Sequence, residues 1–136
     1  MGKIKILYTI PNFDTAGSGI HLLSIAKRLD SDLFEPQIAC RFDRGGFFQE
    51  VRNTGIKIYL IDYYINARPL IKMLYECYKL SRIFKEISPD IIHSYNYAAD
   101  YTEPLAARMA GIKWIYTKKN MSWKGPSYRG WRLRTF

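Results

Sequence analysis

The spacing of hydrophobic and polar positions changes period along the chain and divides it into alternating segments. "IKILYTI", residues 4–10, is a β-branched and aromatic run that predicts a buried strand. Beyond "PNFDTAGSG", Ile20, Leu23, Ala26 and Leu29 recur at helical spacing, with Lys27 and Arg28 on the other face. "DSDLFEP" breaks that helix, and "QIACRF" reads as a second strand. "DRGG" is a turn; residues 47–54 make a short helix with Gly55 placed as its left-handed cap, and "IKIYLID" is a third strand. Pro69 opens a longer helix. Its Leu70, Leu74, Cys77, Leu80, Phe84 and Ile87 predict one apolar stripe, leaving Lys72, Glu76, Lys79, Arg82 and Lys85 in water. "SPD" stops this helix and "IIHSY" is a fourth strand. Asp100 and Glu103 have capping-box spacing for a helix carrying Leu105, Ala106, Met109 and Ala110, which Gly111 ends before the fifth strand, "IKWIYT".

Five strands with four intervening helices predict an α/β domain: a parallel sheet with helices on both faces, three layers α/β/α, in a Rossmann-like, doubly wound layout. The pattern contains no repeat and no linker, so residues 1–136 read as a single domain. Its final stretch, "SYRGWRLRTF", carries Trp131, Leu133 and Phe136 with nothing after them to pack against, and the expectation is a truncated domain. Functional groups in such a sheet gather beyond the strand carboxyl ends. That rule selects three loops: 11–19, 93–100 and 118–124.

In the first loop, Gly17, Ser18 and Gly19 set backbone N–H groups at a helix start, where an anion can approach. The loop misses G-x-G-x-x-G at Leu22 and lacks the Gly-Lys-Ser/Thr of a P-loop, which argues against dinucleotide and ATP sites of those kinds. A glycine-rich turn with Ser18 as helix cap explains it equally well. In the second loop, His93 at a strand end precedes Ser94, Tyr95, Asn96 and Tyr97. It reads either as a donor or acid–base group for a phosphate or sugar hydroxyl, or as a core histidine bonded to its neighbours. In the third, Lys118, Lys119 and Asn120 are positioned to meet a diphosphate, although adjacent lysines are more often solvated charge. His21 reads as a helix-face residue. Asp30-Ser31-Asp32 spells D-x-D, but it closes a helix away from the strand carboxyl ends and reads as turn chemistry. Asn120-Met121-Ser122 matches a glycosylation sequon without a secretion signal to give it meaning.

Charge adds asymmetry. The net charge is +9, and no acidic residue follows Glu103, while eight cations do, from Arg108 to Arg134. The basic third favours phosphates, acidic lipid headgroups or nucleic acid. Trp114, Trp123, Tyr128 and Trp131 among those cations keep open an alternative: a stand-alone basic module that binds single-stranded nucleic acid or an anionic membrane. Cys40 and Cys77 have no metal-ligand spacing and read as reduced thiols of a cytoplasmic protein. The opening "MGKIKILYTI" has too short an apolar run for a signal peptide, and no stretch has the length of a membrane span.

The strand, glycine-containing loop and "HLLSIAKRL", then "ISPDIIHSYNYAADY", then "AARMAGIKWIYTKKN", together resemble the N-terminal domain of retaining GT-B glycosyltransferases of the group-1, family 4 type. The resemblance spans residues 3–120 and implies the N-terminal half of a GT-B arrangement. It implies transfer of a sugar from a nucleotide-sugar to a glycan, lipid-linked or other acceptor, with retention, no metal and no cofactor. The N-terminal domain would handle the acceptor, and a second domain, whose paired glutamates are not in this sequence, would grip the donor. The chain alone is therefore expected to be inactive. Carried over to this sequence, the resemblance places Gly17, Ser18 and Gly19 against donor phosphate and acceptor. It makes His93 a positioning residue, joined by Tyr95, Asn96, Lys118, Lys119 and Asn120 in substrate or donor-phosphate binding. Many members carry a histidine where Lys118 and Lys119 stand. No catalytic residue is assigned, the candidates being His93 and Lys119. The expected setting is the cytoplasm, with peripheral attachment to the inner membrane face through the basic region after Glu103, and no nucleic-acid partner.

Overall fold

The computed structural model describes residues 2–13, 16–62, 65, 68–95 and 102–117. Its elements run β1 (Ile4–Ile10), α1 (Ala16–Arg28), β2 (Phe34–Cys40), α2 (Phe48–Asn53), β3 (Lys57–Leu60), α3 (Leu70–Ile87), β4 (Ile91–Ser94), α4 (Thr102–Ala110) and β5 (Lys113–Tyr116). The five strands form one sheet in the order β3-β2-β1-β4-β5, and every neighbouring pair is parallel. The chain winds outward from β1 to one edge, then crosses back and winds to the other, the Rossmann-like layout that the periodicity predicts.

Alternation along β1 sends its side chains to two cores. Ile6, Tyr8 and Ile10 pack with Ile38 and Cys40 against Leu22, Leu23 and Ala26 of α1 and Phe48 and Val51 of α2. Leu7 packs with Ala39 and Ile92 on the opposite face, against Met73, Cys77, Leu80 and Phe84 of α3 and Ala106 and Ala107 of α4. Both thiols are buried, Cys40 in the first core and Cys77 in the second, with the sheet between them.

Several helix faces differ from the periodicity. On α1 the buried apolar positions are Leu22, Leu23 and Ala26, while Ile20 is 48% exposed. On α3, Met73 joins Cys77, Leu80 and Phe84 in the core, and the expected Leu70 and Leu74 face solvent. On α4 the inward residues are Thr102, Glu103, Ala106 and Ala107, and Met109 is exposed. The second strand begins earlier than "QIACRF": Phe34, Glu35 and Pro36 already pair with Ile4, Lys5 and Ile6 of β1. Proline is accommodated there because β3 begins only opposite Gln37, so β2 is still an edge on that side.

Turns behave as their residues dictate. Gly55 and Gly111 end α2 and α4 with φ of 75° and 73°, the left-handed region in which a side chain is strained. Asp30 closes the turn after α1 by accepting from the Asp32 backbone N–H at 2.9 Å, the Asx turn expected of "DSD". Asp90 fastens the far end of α3: its N–H donates to the Lys5 carbonyl and its carboxylate accepts from the Lys5 N–H. The C-terminus of α3 therefore lies at the amino ends of the strands and its N-terminus at their carboxyl ends.

Candidate functional site at the strand carboxyl ends

The winding direction reverses between β1 and β4, the place beyond the strand ends at which open sheets of this kind bind ligands. Parallel register sets Tyr8 beside His93 and Thr9 beside Ser94. Because adjacent positions face opposite ways, the two pairs start two different polar clusters.

The first cluster faces α1. The His93 ring packs beside two phenols, 5.3 Å from the Tyr8 ring centre and 4.9 Å from that of Tyr95. Its Nε2 is hydrogen-bonded to Thr117 Oγ1 at 2.6 Å, just past the end of β5. The Tyr95 hydroxyl also bonds Thr117 and lies 3.3 Å from His21 Nδ1 on α1. Four side chains from α1, β4 and the strand ends thus make one chain of contacts: His21, Tyr95, Thr117, His93. Burial pushes the His93 imidazole below its ordinary 6.5, and nearby His21 adds to the shift. The ring is therefore neutral at pH 7, with one nitrogen to donate and one to accept. Burial likewise holds the Tyr95 phenol above 10.0, and pushes Tyr8 up to about 12 with a smaller contribution from Tyr95. Both phenols stay protonated.

The second cluster faces α4. Glu103 is fully buried and accepts from Thr9 Oγ1 at 2.5 Å, Ser94 Oγ at 3.2 Å and Trp114 Nε1 at 3.3 Å. One carboxyl group thereby joins the carboxyl-terminal halves of β1 and β4 and the first half of β5 to a single helix. The Glu103 side chain turns into the sheet, and its expected partner in a capping box is Asp100. Asp100 lies outside the described residues.

Gly17, Ser18 and Gly19 occupy the first turn of α1, which starts at Ala16; they are neither a loop ahead of the helix nor, in the case of Ser18, its cap. The glycines serve different ends. A Cβ on Gly19 would sit 2.8 Å from Cδ1 of fully buried Phe13, so this residue lets the loop after β1 fold down onto the helix. Gly17 is exposed and has open space around it. Its turn still presents backbone N–H groups towards the carboxyl side of the sheet. Asn96, Lys118, Lys119 and Asn120 lie outside the described residues, as does the 120–122 sequon.

The family model for Glycosyltransferase Family 4 matches residues 15–136, most of the chain. The chain belongs to glycosyltransferase family 4. Solved structures agree on the fold. A glycosyltransferase from Rickettsia africae superposes with a TM-score of 0.72 at 20% identity, over 98% of this chain and 35% of that one. Anabaena Alr3699/HepE, in complex with UDP and glucose, gives 0.63 at 18% identity over 86% and 30%. MurG from Acinetobacter baumannii gives 0.60 at 21% identity over 85% and 33%. The chain thus spans about a third of the length of these structures and corresponds to an N-terminal GT-B domain. No curated protein matches it in sequence.

Within this family 4 domain, the structure brings His93 and Tyr95 together and sets the turn of Gly17 to Gly19 on the helix that also carries His21. Three members of the first cluster, Tyr8, His21 and Thr117, were not singled out as site residues by the sequence. Tyr8 and Thr117 sit in or beside apolar strand patterns, and His21 meets Tyr95 across 74 residues. The available signal was register: once β1, β4 and β5 are aligned in parallel, Tyr8, His93 and Ile115 share a rung, and Thr117 follows two residues later on the same face.

Proposed function

We propose that the chain forms the acceptor-side wall of a glycosyltransferase cleft, in which a sugar passes from a nucleotide-sugar to a glycan or lipid-linked acceptor with retention of configuration. The family match carries this reading, and the polar cluster at the β1/β4 reversal supports it. UDP and glucose in the Anabaena structure support a nucleotide-sugar as donor. Neutral His93, held by Thr117 and two phenols, suits recognition of an acceptor hydroxyl, because it can donate or accept without carrying charge. The first turn of α1 offers N–H groups to donor phosphate, and Lys118, Lys119 and Asn120, next in the sequence after Thr117, would add positive charge and an amide for the same group. Phosphate stabilisation of the departing nucleoside diphosphate then supplies the main electrostatic assistance, without metal or cofactor. Lys119 and His93 are the residues closest in character to a catalytic role. The setting is the cytoplasmic side of a membrane, with the cations after Glu103 drawn to anionic headgroups.

The chain by itself binds half of the reacting pair and does not turn over. Transfer of labelled sugar from a panel of nucleotide-sugars tests this, with the chain alone and with the chain joined to a donor-binding domain, in the presence and absence of a chelator. The expected result is chelator-insensitive transfer by the joined form only, with the product linkage matching the donor's anomeric configuration. Inversion, or no transfer by the joined form, overturns the reading; turnover by the chain alone overturns its last clause.

A further inference from the structure

The exposed apolar side chains are not scattered evenly. Five of the large ones stand on the first three turns of α3: Leu70 at 62%, Ile71 at 83%, Leu74 at 41%, Tyr75 at 60% and Tyr78 at 52% exposed. At 100° per residue they occupy one sector of the helix, adjoining the sector that Met73, Cys77, Leu80 and Phe84 bury in the core. The helix therefore has two apolar faces, and its own domain covers one.

Charge indicates what covers the other. Lys72 and Lys79 border the apolar sector on one side, and Arg82 and Lys85 continue it along the helix; all four are exposed. The carboxylates on this helix are Glu76 and Glu86, and Glu76 is already paired with Lys79 at 3.2 Å. The Lys79 ammonium also lies 5.2 Å from the Tyr75 ring centre, so its stem runs over the aromatic surface while its head stays wet. Lysines interleaved with apolar side chains are uncommon at the centre of protein–protein interfaces. Apolar and tyrosine side chains ringed by lysines are what a helix lying in a lipid headgroup layer presents. Among the described residues, no helix is long and apolar enough to cross a membrane.

We propose that the outer face of α3 docks the domain on an anionic phospholipid bilayer. Leu70, Ile71, Leu74, Tyr75 and Tyr78 enter the headgroup layer, and Lys72, Lys79, Arg82 and Lys85 engage lipid phosphates. The apolar turns lie at the N-terminal end of α3, the end at which the strands deliver their carboxyl termini. The bilayer thus meets the carboxyl end of the sheet from the face opposite to the His93 cluster. None of the cations after residue 117 is part of this proposal. It rests on the proposed function only for its purpose, the delivery of a lipid-linked acceptor.

Binding is read without any sugar, so it fails or succeeds independently of glycosyl transfer. The full chain is co-sedimented with vesicles of phosphatidylcholine, with and without phosphatidylglycerol. The expected result is binding only when phosphatidylglycerol is present. Ile71→Ser/Tyr75→Ser/Tyr78→Ser is expected to lower it about tenfold or more, since each side chain loses an apolar contact. Lys72→Glu/Lys85→Glu changes exposed side chains, is expected to keep the circular dichroism spectrum and to abolish the anionic preference, and decides the matter if the serine variant does not fold. Failure of the parent chain to sediment, or equal binding to both vesicle types, overturns the proposal. So does loss of binding in Arg129→Gln/Arg132→Gln/Arg134→Gln with full binding in the α3 variants. Self-association of the parent, relieved by the serine variant, assigns the face to a second copy and overturns it too.

Discussion

Glu103 of α4 accepts a 2.5 Å hydrogen bond from Thr9 of the central strand, 94 residues earlier, and both side chains are fully buried. Ser94 and Trp114 donate to the same carboxyl group from β4 and β5. Removing the carboxyl takes an acceptor from three donors at once, two of them buried and Trp114 partly so. Glu103→Ala is therefore expected to lower stability by about 2–4 kcal/mol, a large part of a small domain's total. Thr9→Val, which removes one donor and keeps the volume, is expected to cost about 1 kcal/mol. Urea denaturation of both variants checks the difference, and equal losses would refute a convergent role for Glu103.

The two glycines of the α1 first turn separate packing from backbone freedom. Gly19→Ala places a methyl 2.8 Å from the Phe13 ring, which is itself packed between Phe47 and Phe48, so the ring has to move. The expected loss is about 1–3 kcal/mol. Gly17→Ala meets nothing within 4 Å and gains helix propensity, with up to about 1 kcal/mol of added stability. Thermal melts of the two variants should move in opposite directions.

Tyr95 tests ring against hydroxyl. Its ring is 1% exposed and touches Tyr8, His93 and His21, while its hydroxyl meets His21 and Thr117. Tyr95→Phe keeps the packing and is expected to cost about 1 kcal/mol. Tyr95→Ala opens a cavity and is expected to cost about 3–5 kcal/mol. Chemical denaturation of the pair gives the ratio.

A pH dependence follows from His93. Its folded-state pKa is depressed below 6.5, so the unfolded chain binds a proton more readily than the folded one. Nothing is lost above the unfolded value. As pH falls through 6.5 the folded state is progressively disfavoured, and the loss levels off below the folded pKa. Stability measured from pH 8 to pH 5 should fall across that window. In His93→Gln the part of the slope due to this ring should vanish, and an unchanged slope would sink the assignment.

The element order was legible because strand and helix periods differ and the breaks fall at Gly, Pro and Asp. Helix phase was less so. Ile20 and Leu22 are both apolar on α1, and only the placement of the helix against Tyr8 and Ile38 decides that Leu22 goes in. On α3, two adjoining sectors are apolar, and the sequence pattern cannot say which one the sheet covers. Glu103 at three residues from Asp100 has the local signature of a cap; its inward turn comes from Thr9, Ser94 and Trp114, partners that no short window contains. His93 was legible as a strand-end histidine, but its bond to Thr117 depends on the alignment of β4 with β5.

Cys40 and Cys77 sit on opposite sides of the sheet, one under α1 and α2, the other under α3 and α4. A disulfide needs Cα atoms within roughly 7 Å and sulfurs that face each other, which a hydrogen-bonded sheet between them forbids. The backbone thus works as an electrical insulator between two contacts. Oxidant can join these sulfurs only in a chain that has not yet folded, so completing the sheet protects the thiols from each other more securely than any reducing surroundings.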